Sequence, residues 1–331
     1  ATGGTTGHPL KFNISLKAKS FHTAAKLRSQ GWAGYNYGDR KVTIGGTSLV
    51  PNEKVSFSTK LRRLGERNLS LPAMSLSKTY LDNNIGKILA HNPEFIRGYP
   101  TAIFTLAKYV RDNKKSIKLK AVFTTAEMLL KGQRDLIENQ FECRVFDNYG
   151  CADGGGMANE CEIHQGFHTA PEISILEVLD DSHNSLGPHE KGNIVWTDLH
   201  NNATPFIRYA PGDLGTSHDS RCSCGRSLPR LATIVGRTTD IIQFSNGRML
   251  SGPAMTLIFK EFNILQYQLI KVNHKELKIL LVPSPSFSDN EYEKISRIMT
   301  YHCGESVKIQ INVVDNIESK SGSKFKFIME N

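Results

Sequence analysis

Residues 119–156 read LKAVFTTAEMLLKGQRDLIENQFECRVFDNYGCADGGG, and the pattern of this stretch decides the fold. Leu119–Phe123 is a short apolar run of strand type, Met128–Phe141 carries apolar residues at helical spacing, and Arg144–Phe146 is a second apolar run. A helix between two short apolar strands is the unit of an α/β layer with a partly parallel sheet. The glycine-rich segment Asp147–Gly156 follows the second strand. A carboxylate in such a turn, at the C-terminal end of a strand, is well placed to hold a nucleotide or a hydrated cation. Taken by itself, the segment also reads as a plain strand-to-loop turn.

Upstream, Phe21–Gln30 is helical and ends at Gly31, and Val42–Ile44 is a short strand. Tyr80–Ala90 and Ala102–Val110 have helical spacing, and Phe95–Pro100 between them is a strand leaving into a turn. Downstream, Glu172–Leu179 and Gly192–Thr197 are strands flanking the turn-like Asn184–Lys191. The style of the chain changes near Gly236. From there come a strand at Ile241–Phe244, the turn Ser245-Asn246-Gly247 and a helix at Pro253–Phe262. A strand pair at Gln266–Val272 and Glu276–Val282, a helix at Asn290–His302 and a strand at Lys308–Val314 complete a small α+β domain. The expected division is a large α/β domain over 1–236 and a small domain over 237–331.

At 331 residues the chain is long enough for two cores. A hydrophobic content of 39% and a charged content of 22% exclude a disordered chain, and no apolar run is long enough to span a bilayer. No basic segment followed by an apolar stretch opens the sequence, so a cytoplasmic protein without a membrane partner is expected. The net charge of +9 includes the cluster Arg111, Lys114, Lys115, Lys118 and Lys120, read as a solvated helix end. A basic nucleic-acid-binding protein would interleave aromatic residues in a basic stripe, and this sequence does not, so no nucleic-acid partner is expected.

Further segments carry residues of chemical interest. Thr2-Gly3-Gly4-Thr5-Thr6-Gly7 has the glycines that let backbone N–H groups surround phosphate oxygens, but lacks the Gly-Lys-Ser/Thr ending of a Walker loop. Asp213, in Pro211-Gly212-Asp213, is a carboxylate in a tight turn that can accept hydrogen bonds from two ribose hydroxyls. Gly236-Arg237-Thr238-Thr239-Asp240 falls where the chain changes style; it has the character of a hinge, and Arg237 can reach a phosphate or a ribose. Each also has a plain reading: a flexible terminus, an ordinary Pro-Gly-Asp turn and an inter-domain loop, respectively.

In this order and spacing the segments resemble the adenylate-forming superfamily, in the branch of phenylacetate–coenzyme A ligase and the CapK-like proteins. Thr2–Leu10 looks like the family's phosphate loop, and Tyr149-Gly150-x-x-Asp153 like its Tyr-Gly-x-Thr/Ser-Glu segment. Arg208–Asp213 looks like the ribose-binding segment, Gly236–Asp240 like the hinge, and Phe123–Glu127 like part of the adenine pocket. Ser321–Lys326 resembles the terminal segment whose lysine serves adenylation; Lys324 matches best, with Lys320 and Lys326 as alternatives.

The sequence departs from the family at Ala152, where a Thr or Ser stands, and at Asp153, where Glu stands. It also begins at the phosphate loop, so the family's preceding segment is expected to be missing from the large domain.

The resemblance implies ATP and Mg²⁺, a carboxylic acid substrate of aryl or aryl-acetic type, and coenzyme A as acceptor. Thr2 to Gly7 would grip the β- and γ-phosphates, Asp153 would help hold Mg²⁺, and Lys324 would act at the α-phosphate. Rotation about Asp240 would then withdraw Lys324 for thiol transfer. A carrier-protein thiol or an amine acceptor, and a non-catalytic zinc-stabilised relative, are the alternative readings; a homodimer is allowed.

The cysteines number six, too sparse for a disulfide scaffold. Cys161-x-x-His164 and Cys222-x-Cys224 offer three thiolates and an imidazole, a set that suits tetrahedral Zn²⁺, with His168 as a competing ligand. CapK-like relatives resemble the chain at both pairs, and a filled set would be structural. Four unligated side chains in a reduced protein is the plainer alternative. Cys143, next to a strand, reads as a core residue and Cys303 as a helix-end residue, while Trp32 and Trp196 read as packing residues.

Overall fold

The computed structural model describes residues 10–45, 49–50, 65–72, 78–150, 155–237, 241–251, 255, 258–259, 261–317 and 325–330. The chain divides into two compact units. The first comprises Ala1–Glu127, Ile137–Pro211 and Gly215–Ile234; the second comprises Met128–Leu136, Gly212–Leu214 and Val235–Asn331.

The parallel half of the large sheet is built from β1 (Lys41–Gly45), β2 (Asn68–Pro72), β3 (Phe95–Gly98), β4 (Ala121–Thr125) and β5 (Arg144–Gly150), all pairing in parallel in the order β2-β1-β3-β4-β5. Every residue of β1 and β4 is buried. Burial on both faces is why β4 reads as an apolar run over Ala121–Phe123, whereas β1 buries Lys41 and Thr43 among its apolar residues. Helices α1 (Leu16–Gly31), α2 (Lys78–His91), α3 (Pro100–Asp112) and α4 (Lys131–Phe141) belong to this part of the sequence. Parallel neighbours need such crossovers because a tight turn cannot reverse the chain twice. Ser15 caps α1 by accepting a hydrogen bond from the Ala18 N–H at 3.1 Å, and Pro100 opens α3, where its missing N–H costs nothing.

The sheet then changes sense. Strand β5 pairs antiparallel with β6 (Met157–Asn159), β6 with β7 (Phe167–Thr169), and β7 with β11 (Arg230–Arg237). Strands β10 (Asp213–Ser217), β9 (Lys191–Asp198) and β8 (Ser174–Leu179) complete an 11-stranded sheet in the order β7-β11-β10-β9-β8. Two sequence expectations change here. The strand expected over Arg144–Phe146 continues through Gly150, because Asn148, Tyr149 and Gly150 pair with Asn159, Ala158 and Met157. Gly236 and Arg237, expected in a loop, are the last residues of β11.

In the second unit, β12 (Ile241–Gln243) and β13 (Met249–Ser251) form a hairpin over the expected Ser245-Asn246-Gly247 turn. A second sheet has the order β16-β15-β14-β17, from β14 (Ile264–Asn273), β15 (Glu276–Pro283), β16 (Lys308–Val313) and β17 (Ile328–Glu330). Helix α5 (Asp289–Cys303) crosses between the parallel pair β15 and β16 and starts at a capping box made by Ser288 and Glu291. Its buried Ile295, Met299 and Cys303 pack with Tyr267, Leu269, Ile279 and Leu281. The α/β large unit and the smaller unit with its own sheet are the fold class that the sequence implied.

Candidate active site and metal centre

In open α/β sheets ligands bind beyond the carboxyl ends of the parallel strands. Three features of this chain gather there. Strand β3 leads through Tyr99 into α3, strand β4 leads to Glu127, and strand β5 ends at Tyr149-Gly150. Glu127 is held in place: Thr101 donates to its Oε2 from its hydroxyl at 2.6 Å and from its N–H at 3.3 Å. Beside it, Thr124 donates to Asp147 at 2.7 Å, and the Asn148 amide donates to the Thr124 and Phe146 carbonyls at 3.0 and 2.8 Å. The polar ends of β4 and β5 are therefore laced together.

Tyr149 stacks on Trp196, with ring centroids 5.8 Å apart and planes 25° apart. Trp196 is fully buried, so it backs Tyr149 from within the core. Its sequence reading as a packing residue holds, with the addition that it packs against a candidate nucleotide-binding side chain. Asp213 is buried, at 9% exposure, and opens β10 rather than sitting within a turn; the turn is at Gly212, whose φ of +84° favours glycine. Arg208, five residues earlier, pairs with Glu177 at 3.1 Å. Thr2, Gly3, Gly4, Thr5, Thr6, Gly7, Asp153, Asp240 and Lys324 lie outside the described residues, and so does the side chain of Arg237.

The basic cluster is partly neutralised. Lys118 meets Glu142 at 2.7 Å, Lys120 meets Glu94 at 2.6 Å and Arg111 meets Asp112 at 2.9 Å.

The fold brings the thiols of the two separated pairs together, with one change of histidine. Cys161, Cys222, Cys224 and His168 present their ligand atoms within 4.8 Å of one another. The Cys161 and Cys222 sulfurs are 3.7 Å apart, and Cys224 Sγ lies 3.4 Å from His168 Nε2. A tetrahedral ion with bonds of about 2.3 Å to sulfur and about 2.0 Å to nitrogen would set these spacings at about 3.8 and about 3.5 Å. The donor set and its spacing fit zinc.

His164 is not in this set. Its N–H closes a turn onto the Cys161 carbonyl at 3.0 Å with φ of +54°; its Nδ1 meets Glu160 at 3.1 Å and its ring packs on Phe146. His168 takes the place because it lies on β7, directly opposite Arg230 of β11, just after the loop that carries Cys222 and Cys224. This antiparallel pairing closes a separation of 61 residues between Cys161 and Cys222.

The surroundings prepare the thiols unequally. Burial pushes the Cys161 thiol up to about 12, against the Ile163 N–H, which lowers it. Burial also raises Cys224, but the Arg226 N–H and side chain and the neighbouring cysteines outweigh it, and its thiol lies below the ordinary value. The Arg226 N–H reaches Cys224 Sγ at 3.5 Å after a turn at Gly225, whose φ is +83°. Burial likewise holds the His168 imidazole below its usual value, favouring the neutral ring that a metal requires. Around the set, Trp32 packs edge-on to His168, and Arg226 lies 4.8 Å over Trp32 while binding both oxygens of Glu162 at 2.9 Å. Sequence reasoning missed this outer layer. Its only trace was an arginine directly after the Cys-x-Cys-Gly run.

A family model described as the CapK C-terminal domain matches residues 242–331. Protein CapK of Staphylococcus aureus is 23% identical over 341 residues, a match covering 100% of this chain and 73% of CapK. A phenylacetate-coenzyme A ligase of Thermus thermophilus is 27% identical over 259 residues, covering 73% of this chain and 55% of the ligase. Among solved structures, 2-hydroxyisobutyryl-CoA ligase in its postadenylation state superposes with a TM-score of 0.73 at 19% identity, covering 98% of this chain and 72% of the other. The large α/β unit with its smaller α+β companion therefore defines an adenylate-forming ligase fold. By these matches the chain is similar to the adenylate-forming superfamily, in the branch that holds the phenylacetate–coenzyme A ligases and CapK.

Proposed function

We propose that this chain activates a carboxylic acid with ATP and passes the acyl group to the thiol of coenzyme A. The reading rests above all on one arrangement: Glu127 and Tyr149-Gly150 stand at the carboxyl ends of adjacent parallel strands, the first fixed by Thr101 and the second backed by Trp196. Matches to ligases of the same branch support it. Because a match covers as little as 55% of a ligase relative, the acid pocket and the full activity belong to the proposal.

A carboxylate is a poor acyl donor because its leaving group would be oxide. In the first step a carboxylate oxygen attacks the α-phosphorus of ATP, the bond to the β-phosphate bridging oxygen breaks, and pyrophosphate leaves. In the second the thiol sulfur attacks the acyl carbonyl, its proton is lost, and AMP leaves. The protein's task is to align the attack and offset negative charge. Thr2–Gly7 would grip the β- and γ-phosphates, and Asp213 the ribose. Glu127, Tyr149 and Gly150 would border the adenine, and Arg237 would reach a phosphate or the ribose. Asp153 would hold Mg²⁺, whose charge offsets that of the triphosphate. Lys324 would act at the α-phosphate, and rotation of a mobile small domain at Asp240 would withdraw it for thioester formation. We also assign Cys161, His168, Cys222 and Cys224 to a structural zinc ion, with no position left open for water.

Ala152 and the shortened Asp153 favour one second reading, a relative that binds nucleotide without turnover. The deciding measurement is acid-dependent pyrophosphate release from Mg-ATP across aryl, aryl-acetic and aliphatic acids, followed by thioester formation on adding coenzyme A. Release restricted to one acid class is expected. Nucleotide binding without release under every acid would overturn the ligase in favour of the second reading, and product only with amine acceptors would replace the thiol.

A further inference from the structure

A second group of metal-binding side chains lies apart from the cysteines. His189, in the turn between β8 and β9, and His218 and Asp219, just after β10, present ligand atoms within 4.8 Å of one another. His189 Nε2 and His218 Nδ1 each stand 3.2 Å from the same oxygen, Oδ1 of Asp219. Ligands about 2.0–2.1 Å from a tetrahedral ion stand about 3.3 Å apart, so these two spacings match two edges of a metal polyhedron.

The two loops are held in register by the backbone. The His189 N–H donates to the Ser217 carbonyl at 3.0 Å, and the His218 N–H donates to the Arg230 carbonyl at 3.0 Å. The histidines are thus presented from a braced edge of the large sheet. The rings lie 5.0 Å apart and at 66°, so they do not stack in a way that would block a shared ion.

A pair of ordinary histidine–aspartate contacts is the competing explanation, and one detail argues against it. The Ser220 N–H donates to His218 Nδ1 at 3.3 Å, with the Ser220 hydroxyl at 3.2 Å. A nitrogen that accepts a hydrogen bond carries a lone pair, not a proton. Without a proton, Nδ1 cannot donate to the Asp219 oxygen 3.2 Å away, and two electron-rich atoms at that distance repel, which a cation bound by both would relieve. Such an ion would take this lone pair from both the N–H and the hydroxyl of Ser220.

We infer that His189, His218 and Asp219 form a second, solvent-open site for a divalent transition metal of borderline softness, such as Ni²⁺, Cu²⁺ or Zn²⁺. Two imidazoles and one carboxylate select this class over the hard cations Mg²⁺ and Ca²⁺. His189 and Asp219 are more than half exposed, at 55% and 58%, so the ion would exchange with solvent and keep positions open for water or an outside ligand.

The test is equilibrium dialysis of the full chain, as purified, against Ni²⁺, read by elemental analysis and absorption. One Ni²⁺ per chain is expected beyond the metal already present, without a thiolate-to-metal charge-transfer band. His189→Ala and His218→Ala should each weaken it about tenfold or more. His183→Ala, a substitution of an exposed histidine outside the set, should leave it unchanged. Mg²⁺ in excess should not compete. Absence of the added Ni²⁺, binding unaltered in both variants, or a thiolate band placing the ion on the cysteines would each overturn the site. The thiolate band also separates a failure here from a failure of the zinc assignment.

Discussion

Lys41 is the residue where chemistry and packing conflict most plainly. It lies on a strand with every position buried, its ammonium donating to the Tyr35 hydroxyl at 2.9 Å and lying 4.4 Å over the same ring. Burial, reinforced by Arg97, brings its pKa down from 10.5 to about 8, with Glu66 acting the other way. The folded pKa is thus below the unfolded one, so the cost of burying the charged form is fully present below about pH 8. It fades as the pH rises towards 10.5, because the unfolded chain then keeps a proton that the folded one has shed. Lys41→Met should therefore stabilise the protein by ~1–3 kcal/mol at pH 7, and the gain should shrink by pH 9.5. Urea unfolding of both proteins at the two pH values measures this; a pH-independent difference would contradict it. Two other residues separate the steps of the proposed reaction. Asp213→Ala should raise the KM for ATP about tenfold or more. Lys324→Ala should lower adenylation about a hundredfold or more while sparing thioester formation from supplied acyl-AMP. Steady-state pyrophosphate release and a half-reaction assay read the two effects.

At the scale of elements, Gly156, just before β6, links core and site. A methyl group on Gly156 would fall 2.1 Å from Trp196 Cε2, an overlap that only movement of the indole can relieve. Trp196 has no freedom to move, being fully buried among Ala158, Val178, Ile194 and Leu231, with Tyr149 stacked on it. Gly156→Ala should cost about 1–3 kcal/mol and shift the tryptophan emission, measured by chemical denaturation followed by fluorescence. A neutral substitution would mean that the ring is not where the packing requires it. The sequence was legible for elements whose pattern is self-contained. The short strands β1, β3 and β4 and the helical spacing of α2 and α3 read directly. Strands β6 and β7, at three residues each, were not legible, because their hydrogen bonds go to partners remote in sequence and no periodicity can form over such a length. The same strands decide which histidine joins the cysteines.

For the whole molecule, the cysteine set with the proposed zinc ion would act as a staple inside the large unit. It would join residues separated by 61 positions, next to strands only three residues long. Removing zinc with a strong chelator should lower the Tm by ~5 °C or more, and Cys222→Ser should start at that lower Tm and be insensitive to the chelator. Thermal unfolding with metal analysis checks both. Metal content well below one ion per chain in protein purified without chelator would remove the staple altogether.

By itself the sequence determined the α/β class, the small second domain with its own sheet, the family resemblance and the cysteines of the candidate metal set. These follow from local pattern: apolar period, glycine-rich turns and side-chain chemistry at short spacing. Only the tertiary structure decided that His168 and not His164 faces the thiols, that Trp196 supports Tyr149, and that His189 meets His218 and Asp219. Each of these depends on strand register in the antiparallel half of the sheet, where a shift of one residue would turn the side chains to the opposite face.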